Sequence, residues 1–327
     1  MSPWRIILAA TAFEASAATA VLALLELGGA WSPWLDGLTH FTPLILLLGL
    51  LSATLGLVSL QGRSRRVVLG LAAFGVAVPA ALMAPDLFAR LTQHPSPPGK
   101  APLHVLTFNA WTENFAPTQT LDVILNSGAD IIAIQEDPML VEQNDRINAS
   151  YPYRAECDPA WACGAVILSK RPITAHGYVQ RKPWHQDSFE GIWATTIAPD
   201  GRPVTLLTTH FAWPIPPGVQ TGQRQGLIEK TRAIGGADTI VTGDLNSTPW
   251  SFAMKRLDAG MRPLSRRTLA RFSWPANVAR LNRPFPAPLL PIDHIFAAPA
   301  WRTVSIKRMA RTGSDHYGIL AVFARGP

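Results

Sequence analysis

Residues 103–327 read as an α/β domain with mixed β-sheets, placed behind an apolar segment, residues 1–92, of about three helices. Three observations carry this reading. Charge and hydropathy are unevenly spread along the chain. After residue 102, apolar strand-like runs are interspersed with helix-like stretches. Between the two regions lies QHPSPPGKAP, residues 93–102, whose prolines and glycine make a semi-rigid spacer and a natural boundary.

The chain has 327 residues, of which 48% are hydrophobic and only 16% charged. Soluble domains usually carry roughly 25% charged residues. The deficit is local. Residues 1–90 hold only Arg5, Arg63, Arg65, Arg66 and Arg90 against Glu14, Glu26, Asp36 and Asp86. Six of the seven net positive charges therefore lie beyond residue 90. High hydrophobicity, no repeat period and two cysteines exclude disordered, fibrous and disulfide-scaffold classes.

A bilayer core of about 30 Å needs roughly 20 apolar residues in a helix. Residues 6–27, 38–60 and 67–87 each meet that requirement. The second stretch has no charge, and the third contains Pro79 and no charge until Asp86. The first contains Glu14 and Glu26. Glu14 is costly in lipid, so its helix is expected to pack against its neighbours. A cleaved signal peptide is the rival reading of this first stretch, which is rich in small residues and follows Arg5.

Lysine and arginine in short loops set orientation. Arg5 precedes the first span, the first loop has none, and the second loop, QGRSRR, has three arginines. The N-terminus and second loop are thus predicted cytoplasmic, and everything from about residue 91 extracytoplasmic. Trp4, Trp31 and Trp34 fall at span ends, where interfacial indoles are expected. Cys157 and Cys163 fit either a small disulfide loop of an oxidising compartment or two reduced thiols.

In the second region, strand signals run over 103–111, 130–136, 164–170, 190–198, 203–211, 238–246, 291–297 and 317–324. Helix signals run over 118–128, 222–236 and 250–260. Polar residues stand at the ends of the apolar strands: Asn109, Glu136, His210, Asp244, Asn246 and Asp293. A buried strand that ends in a carboxylate, amide or imidazole presents a site at a sheet rim.

Together with Asp315, these side chains supply hard oxygen donors that suit Mg²⁺ or Mn²⁺ rather than zinc. The imidazoles of His210, His294 and His316 can donate to a phosphate oxygen or move a proton. Asp293 is the candidate carboxylate partner of His316. The set suits phosphoester hydrolysis, with a metal, a base for water and donors for developing charge.

In this order, TFNAW, IIAIQE, GAVILSK, TTHF, TGDLNSTP, PIDHIF and GSDHYGI resemble the endonuclease/exonuclease/phosphatase superfamily over residues 103–325. The apolar spans before them resemble those of bacterial inner-membrane members. The resemblance implies a four-layer sandwich of two mixed β-sheets flanked by helices, after a three-helix transmembrane segment, with residues 103–327 as the catalytic domain.

By position in these motifs, it implies that Glu136 is the principal metal ligand, with Asn109 and Asp315 on the metal side. Asp244 would orient or activate water, and Asn246 would donate to the phosphate. His210 would contact the phosphate or leaving group, and His316 would pair with Asp293. His294 would be structural. Two departures stand out. Gly318 occupies a position where many members have proline, and NAW leaves one amide where the family often has NxN or NxR. Neither removes a core ligand.

The expected activity is therefore that of a membrane-anchored, Mg²⁺- or Mn²⁺-dependent phosphodiester or phosphoester hydrolase. Its substrate is a nucleic acid or a lipid headgroup, and its expected location is the bacterial inner membrane with the catalytic domain on the periplasmic side. The alternatives are a sphingomyelinase-like phospholipid or phosphoinositide hydrolase, and a non-catalytic membrane binding protein. The Arg-rich stretch 261–272 is either an electrostatic surface for phosphate-rich substrate or an ordinary solvated segment. Trp184, Trp213, Trp250 and Trp274 could stack on bases, sit at a membrane interface or pack.

Overall fold

A computed structural model describes residues 3–136, 145–157, 164–180, 187–278, 281 and 283–326. The chain folds into two compact units. The first comprises residues 1–92 together with 215–217 and 248–255. The second comprises 93–214, 218–247 and 256–327.

The first unit is built on three helices long and apolar enough to cross a membrane. They are α1 (Pro3–Gly28), a second that opens with the short α2 (Pro33–Asp36) and a 3-10 turn (Gly37–Phe41) before α3 (Thr42–Ser59), and α4 (Gly62–Thr92). Small residues face inward: Ala12, Ser16, Thr19 and Ala23 on α1, Gly49, Ser52 and Gly56 on α3, and Ala72 and Gly75 on α4. The fit is close. A Cβ on Gly75 would lie 2.8 Å from Thr19 Oγ1, and one on Gly49 would lie 2.9 Å from Val76 Cγ2. Large apolar chains such as Ile6, Leu24, Leu47, Leu51, Val58 and Phe74 face outward. Small-in and large-out is the packing of helices whose surroundings are as apolar as their side chains. Trp4, Trp31 and Trp34 are exposed at helix ends, as expected. Helix α1 packs against α3 and α4, as expected, and Glu14 lies on its outward face. The buried carboxylate is Glu26, which accepts from the Thr42 hydroxyl.

The second unit holds two six-stranded mixed sheets. The first contains β1 (Leu103–Asn109), β2 (Ile131–Gln135), β3 (Tyr153–Glu156), β4 (Ala165–Ser169), β11 (Trp301–Arg308) and β12 (Ile319–Arg325). Its order is β11-β12-β1-β2-β4-β3. The second contains β5 (Ile173–Val179), β6 (Gly191–Ile197), β7 (Pro203–His210), β8 (Thr239–Asp244), β9 (Ser265–Arg266) and β10 (Asp293–Ala297), in the order β5-β6-β7-β8-β10-β9. Each sheet has one parallel pair, β1 with β2 and β7 with β8. Helices α5 (Pro117–Leu125), α6 (Asp145–Ser150), α7 (Val219–Ile234) and α8 (Phe252–Gly260) complete the described elements. The sandwich of mixed sheets and helices is the fold the sequence resemblance implied.

All eight expected strands and three expected helices form, with ends shifted by a few residues. Strands β1, β2, β8 and β10 are apolar runs buried along nearly their whole length. Hydrogen bonds cross between the sheets at the Gln135 amide, which donates to Thr107 Oγ1 at 3.2 Å and Thr208 Oγ1 at 2.8 Å, and between the Ser169 and Thr196 hydroxyls at 2.9 Å.

Gly243 is required where β8 reaches the site. Its φ is +151°, and a Cβ there would stand 2.0 Å from Thr209 O. Gly243→Ala is expected to destabilise the fold by about 1–3 kcal/mol, as overpacking does. Thermal unfolding followed by circular dichroism checks this.

Candidate active site

The site lies in the second unit, at the C-terminal ends of the two parallel strand pairs. Sheet register explains the convergence. Asn109 ends β1 opposite Gln135, and Glu136 follows β2 directly. His210 ends β7 opposite Asp244 at the end of β8. Asp293 begins antiparallel β10, also opposite Asp244. The 314–316 turn is tied to β1 by the Ser314 hydroxyl, which donates to Asn109 O at 2.8 Å. Residues far apart in sequence thus meet because most of them end or begin a buried strand or follow one directly, while Asp315 and His316 come from a turn tied to β1.

Asp244 is at the centre and is 1% exposed. Its Oδ1 accepts the Asn246 N–H at 2.9 Å, and its Oδ2 accepts the Asn109 amide at 3.0 Å. His316 Nε2 lies 3.5 Å from the same Oδ2, and His210 Nε2 lies 3.6 Å from it. His316 Nδ1 donates to Asp293 Oδ2 at 2.9 Å. The pairing expected for His316 and Asp293 is therefore present in the geometry.

Burial alone would depress the His316 imidazole, but the Asp293 and Asp244 carboxylates outweigh it and raise the pKa to about 10. His316 is then a cation at neutral pH, held between two acids. Burial pushes the Asp244 carboxyl up, against the pull of that cation.

Asn109 donates to Glu136 Oε1 at 3.0 Å as well as to Asp244. Its own amide oxygen accepts the Trp111 N–H at 2.9 Å. Glu136 also accepts from the Thr112 N–H and hydroxyl at 3.4 and 3.3 Å. Burial works to raise the Glu136 pKa, but the Asn109 amide and His210 more than offset it and hold the carboxyl below its ordinary range. His210 Nε2 is 3.5 Å from Glu136 Oε1 and 3.3 Å from the Asn246 amide. Asn246 also donates to Phe211 O at 2.9 Å.

Asp315 accepts the Trp274 indole N–H on Oδ2 at 3.0 Å, and its Oδ1 is 3.9 Å from His316 Nε2. Burial raises its carboxyl. His294 donates to Ser247 O at 2.8 Å and meets Thr268 Oγ1 at 3.3 Å, the contacts of a structural histidine.

Three non-glycine residues here have left-handed backbone: Trp111 at φ 58°, Glu136 at 54° and Asn246 at 45°. Such conformations cost of order 1–3 kcal/mol each and persist where the surroundings over-determine them.

A cation can be fitted to these donors. Ligand atoms of Asp244, Asp293 and His316 lie within 4.8 Å of one another. Asp293 Oδ1 and Asp315 Oδ1 are buried without a hydrogen-bond partner. Buried carboxylate oxygens without partners are costly unless a cation or water meets them. A protonated imidazole is not a ligand, so the oxygens of Glu136, Asp244 and Asp315 are the better donors.

The eight site residues expected from sequence all fall in this one region. Trp274, which orients Asp315, and Gln135, which bridges the sheets, were not singled out for those roles. The sequence offers Trp274 for base stacking, a membrane interface or packing, and not for holding an acid. The Arg-rich stretch is partly structural. Arg266 makes two hydrogen bonds to Asp258, at 3.1 and 3.0 Å, and Arg267 reaches Ala297 O at 3.4 Å. Cys157 is disulfide-bonded, and the chain's other cysteine, Cys163, lies outside the described residues, as do Trp184 and His185.

A UPF0294 protein of Vibrio vulnificus strain CMCP6 is 29% identical to this chain over 236 residues, 68% of this chain and 76% of that protein. Two solved structures share the fold. One is D. rerio TDP2 complexed with single-strand DNA product, at a TM-score of 0.55 and 17% identity, covering 68% of this chain and 99% of that one. The other is the human Nocturnin catalytic domain with bound sulfate anion, at 0.54 and 16%, covering 69% and 95%. The sequence profile of the Endonuclease/Exonuclease/phosphatase family matches residues 106–316, well over half of the chain and nearly all of its two-sheet unit. The chain belongs to that family.

Proposed function

We propose that this protein is a divalent-metal-dependent phosphodiester hydrolase in which water attacks phosphorus. The observation that carries the reading is the buried line Asp293–His316–Asp244, with Asn109, Glu136, His210, Asn246 and Asp315 around it. Family members are hydrolases of phosphoester bonds, and this constellation offers each part such a reaction needs.

Asp244 holds the attacking water and takes its proton. Its burial makes it a stronger base than a surface carboxylate. His316, kept protonated by Asp293, donates to a phosphoryl oxygen as negative charge grows there. The Asn246 amide and His210 lie side by side at 3.3 Å and provide further donors toward the phosphoryl and leaving oxygens. Asn109 fixes the two carboxylates of Asp244 and Glu136 in register with one amide group. Water oxygen becomes bonded to phosphorus as Asp244 takes its proton, the bond from phosphorus to the ester oxygen breaks, and that oxygen takes a proton from solvent to leave as an alcohol. Glu136 and Asp315 would hold Mg²⁺ or Mn²⁺. The ion, when bound, supplies charge neutralisation at the phosphoryl group.

Asp293→Asn is expected to lower kcat by about a hundredfold or more, the usual scale of a lost proton-transfer or charge-fixing group. Steady-state kinetics on the full chain measure it.

The three apolar helices support anchoring in a membrane, and the arginines of the second loop support a catalytic unit on the extracytoplasmic side. That anchoring favours a second substrate reading, a lipid headgroup phosphodiester, beside nucleic acid. The test is hydrolysis by the full chain in detergent with Mg²⁺, Mn²⁺ or EDTA. The substrates are bis-p-nitrophenyl phosphate, single-strand DNA, RNA and sphingomyelin. Metal-dependent turnover of the first supports the chemistry, and the preference among the rest chooses the substrate. No turnover of any would sink the reading.

A further inference from the structure

Helix α7 carries two glutamines that the proposed chemistry leaves unused. In VQTGQRQG, Gln220 and Gln223 are three residues apart and so fall on one face of the helix. Both are buried, at 4% and 2% exposure. A buried amide is costly unless its donors and acceptor are met. Those of Gln220 are met by two loops of the active site. Its Nε2 donates to Ala212 O at 2.6 Å, two residues beyond His210, and lies 3.3 Å from both Leu245 O and Asn246 O. Its Oε1 accepts the Ser247 hydroxyl at 2.9 Å and an Arg224 N–H at 3.4 Å. Gln223 Oε1 accepts the Ala212 N–H at 2.9 Å. One helix thus holds Ala212 by both its N–H and its C=O.

These bonds fall where the sheet's own hold ends. Strands β7 and β8 pair as far as His210 and Asp244, and the Phe211 N–H adds one backbone bond to Asp244 O at 2.9 Å. Beyond that point side chains bridge the two segments. The Asn246 amide donates to Phe211 O at 2.9 Å, and Gln220 joins Ala212 to Leu245, Asn246 and Ser247. Asn246 needs such holding, because its φ of 45° is a strained backbone that persists where contacts over-determine it. Without Gln220, the 3.3 Å contact of Asn246 with His210 rests on fewer ties.

We propose that Gln220 is a positioning residue of the site. It sets Asn246 against His210, so that the two donors meet one phosphoryl group, and it touches no substrate itself. The proposal rests on the reading that Asn246 donates to phosphate in phosphodiester hydrolysis. Gln220→Met is the variant to test, since methionine keeps the length and unbranched shape of glutamine and loses its amide.

The experiment uses the full chain in detergent, with bis-p-nitrophenyl phosphate and Mg²⁺. It compares Gln220→Met, Asn246→Ala and the double variant with wild type, and checks the fold of each by thermal unfolding. Gln220→Met is expected to lower kcat by about tenfold to a hundredfold, the scale of a small misplacement, with KM within about twofold of wild type. Beside Asn246→Ala the same change is expected to cost less than about threefold, because a donor that is gone cannot be misplaced. Equal fold-losses with and without Asn246 would mean that Gln220 merely supports the structure, and would overturn the proposal. Wild-type kcat in Gln220→Met would do the same. If Gln220→Met does not fold, Ser247→Ala carries the test. It takes from Gln220 Oε1 its closest donor and should lower kcat by about threefold to tenfold, again only while Asn246 is present. Wild-type kcat there, or an equal loss beside Asn246→Ala, refutes the proposal. Wild-type kcat in Asn246→Ala is a different failure: it removes the reading of Asn246, and the proposal falls with it.

Discussion

Asp244→Asn is expected to abolish turnover, lowering kcat by about ten-thousandfold while the fold survives. The expectation comes from geometry and from burial together. Asp244 is the one acid that Asn109, Asn246, His210 and His316 all approach. Asparagine has nearly the same volume and keeps an oxygen for the Asn246 N–H, so packing changes little. It cannot take a proton from water. It also removes one of the charges that keep His316 protonated, so the second role in the site weakens with the first. Circular dichroism beside steady-state kinetics separates loss of chemistry from loss of fold. Activity within tenfold of wild type would exclude Asp244 as the base.

The second large effect is on metal dependence. EDTA is expected to reduce hydrolysis to background, and Mg²⁺ or Mn²⁺ to restore it. Glu136→Gln is expected to raise the half-saturating Mg²⁺ concentration by about tenfold to a hundredfold, a loss of the kind seen when groups that hold a metal are altered. Glu136 suits this role because the Asn109 amide and His210 keep it ionised, against its burial. At 27% side-chain exposure it is also open to an ion from solution. Titrating activity with Mg²⁺ in wild type and variant measures the shift. An unchanged half-saturating concentration would move the metal role to Asp315 and its neighbours.

Much of this fold could be read from the sequence because its central strands are continuous apolar runs. Ile131–Gln135 and Thr239–Asp244 are wholly buried, so composition alone marks them. The strands not expected were β3, β5, β9 and β11, and these are the four edges of the two sheets. Edge strands are shorter or half-exposed and alternate weakly, as ITAHGYV and WRTVSIKR do. Their pairing comes from neighbours that local sequence does not reveal.

The same distinction holds at the site. Asn109, Glu136, His210 and Asp244 were legible because a polar residue ending an apolar strand is conspicuous. Asp293 stands out in the same way, and motif order adds His316 beside it. Trp274, which donates to an acid 41 positions later, and Asp36, which caps a helix 216 positions later, leave no local signal. Glu14 and Glu26 make the point in reverse. Both interrupt one apolar helix, and only the helix face on which each falls decides that Glu26 is buried and Glu14 exposed.

The most direct test of water attack at this site is hydrolysis of bis-p-nitrophenyl phosphate by the full chain in water enriched in heavy oxygen, beside Asp244→Asn. Mass spectrometry then locates the label. The expected result is one labelled oxygen in the phosphoryl product, none in p-nitrophenol, and no enzymatic product from the variant. Label in p-nitrophenol, or equal labelled product from Asp244→Asn, would contradict attack on phosphorus by a water that Asp244 activates.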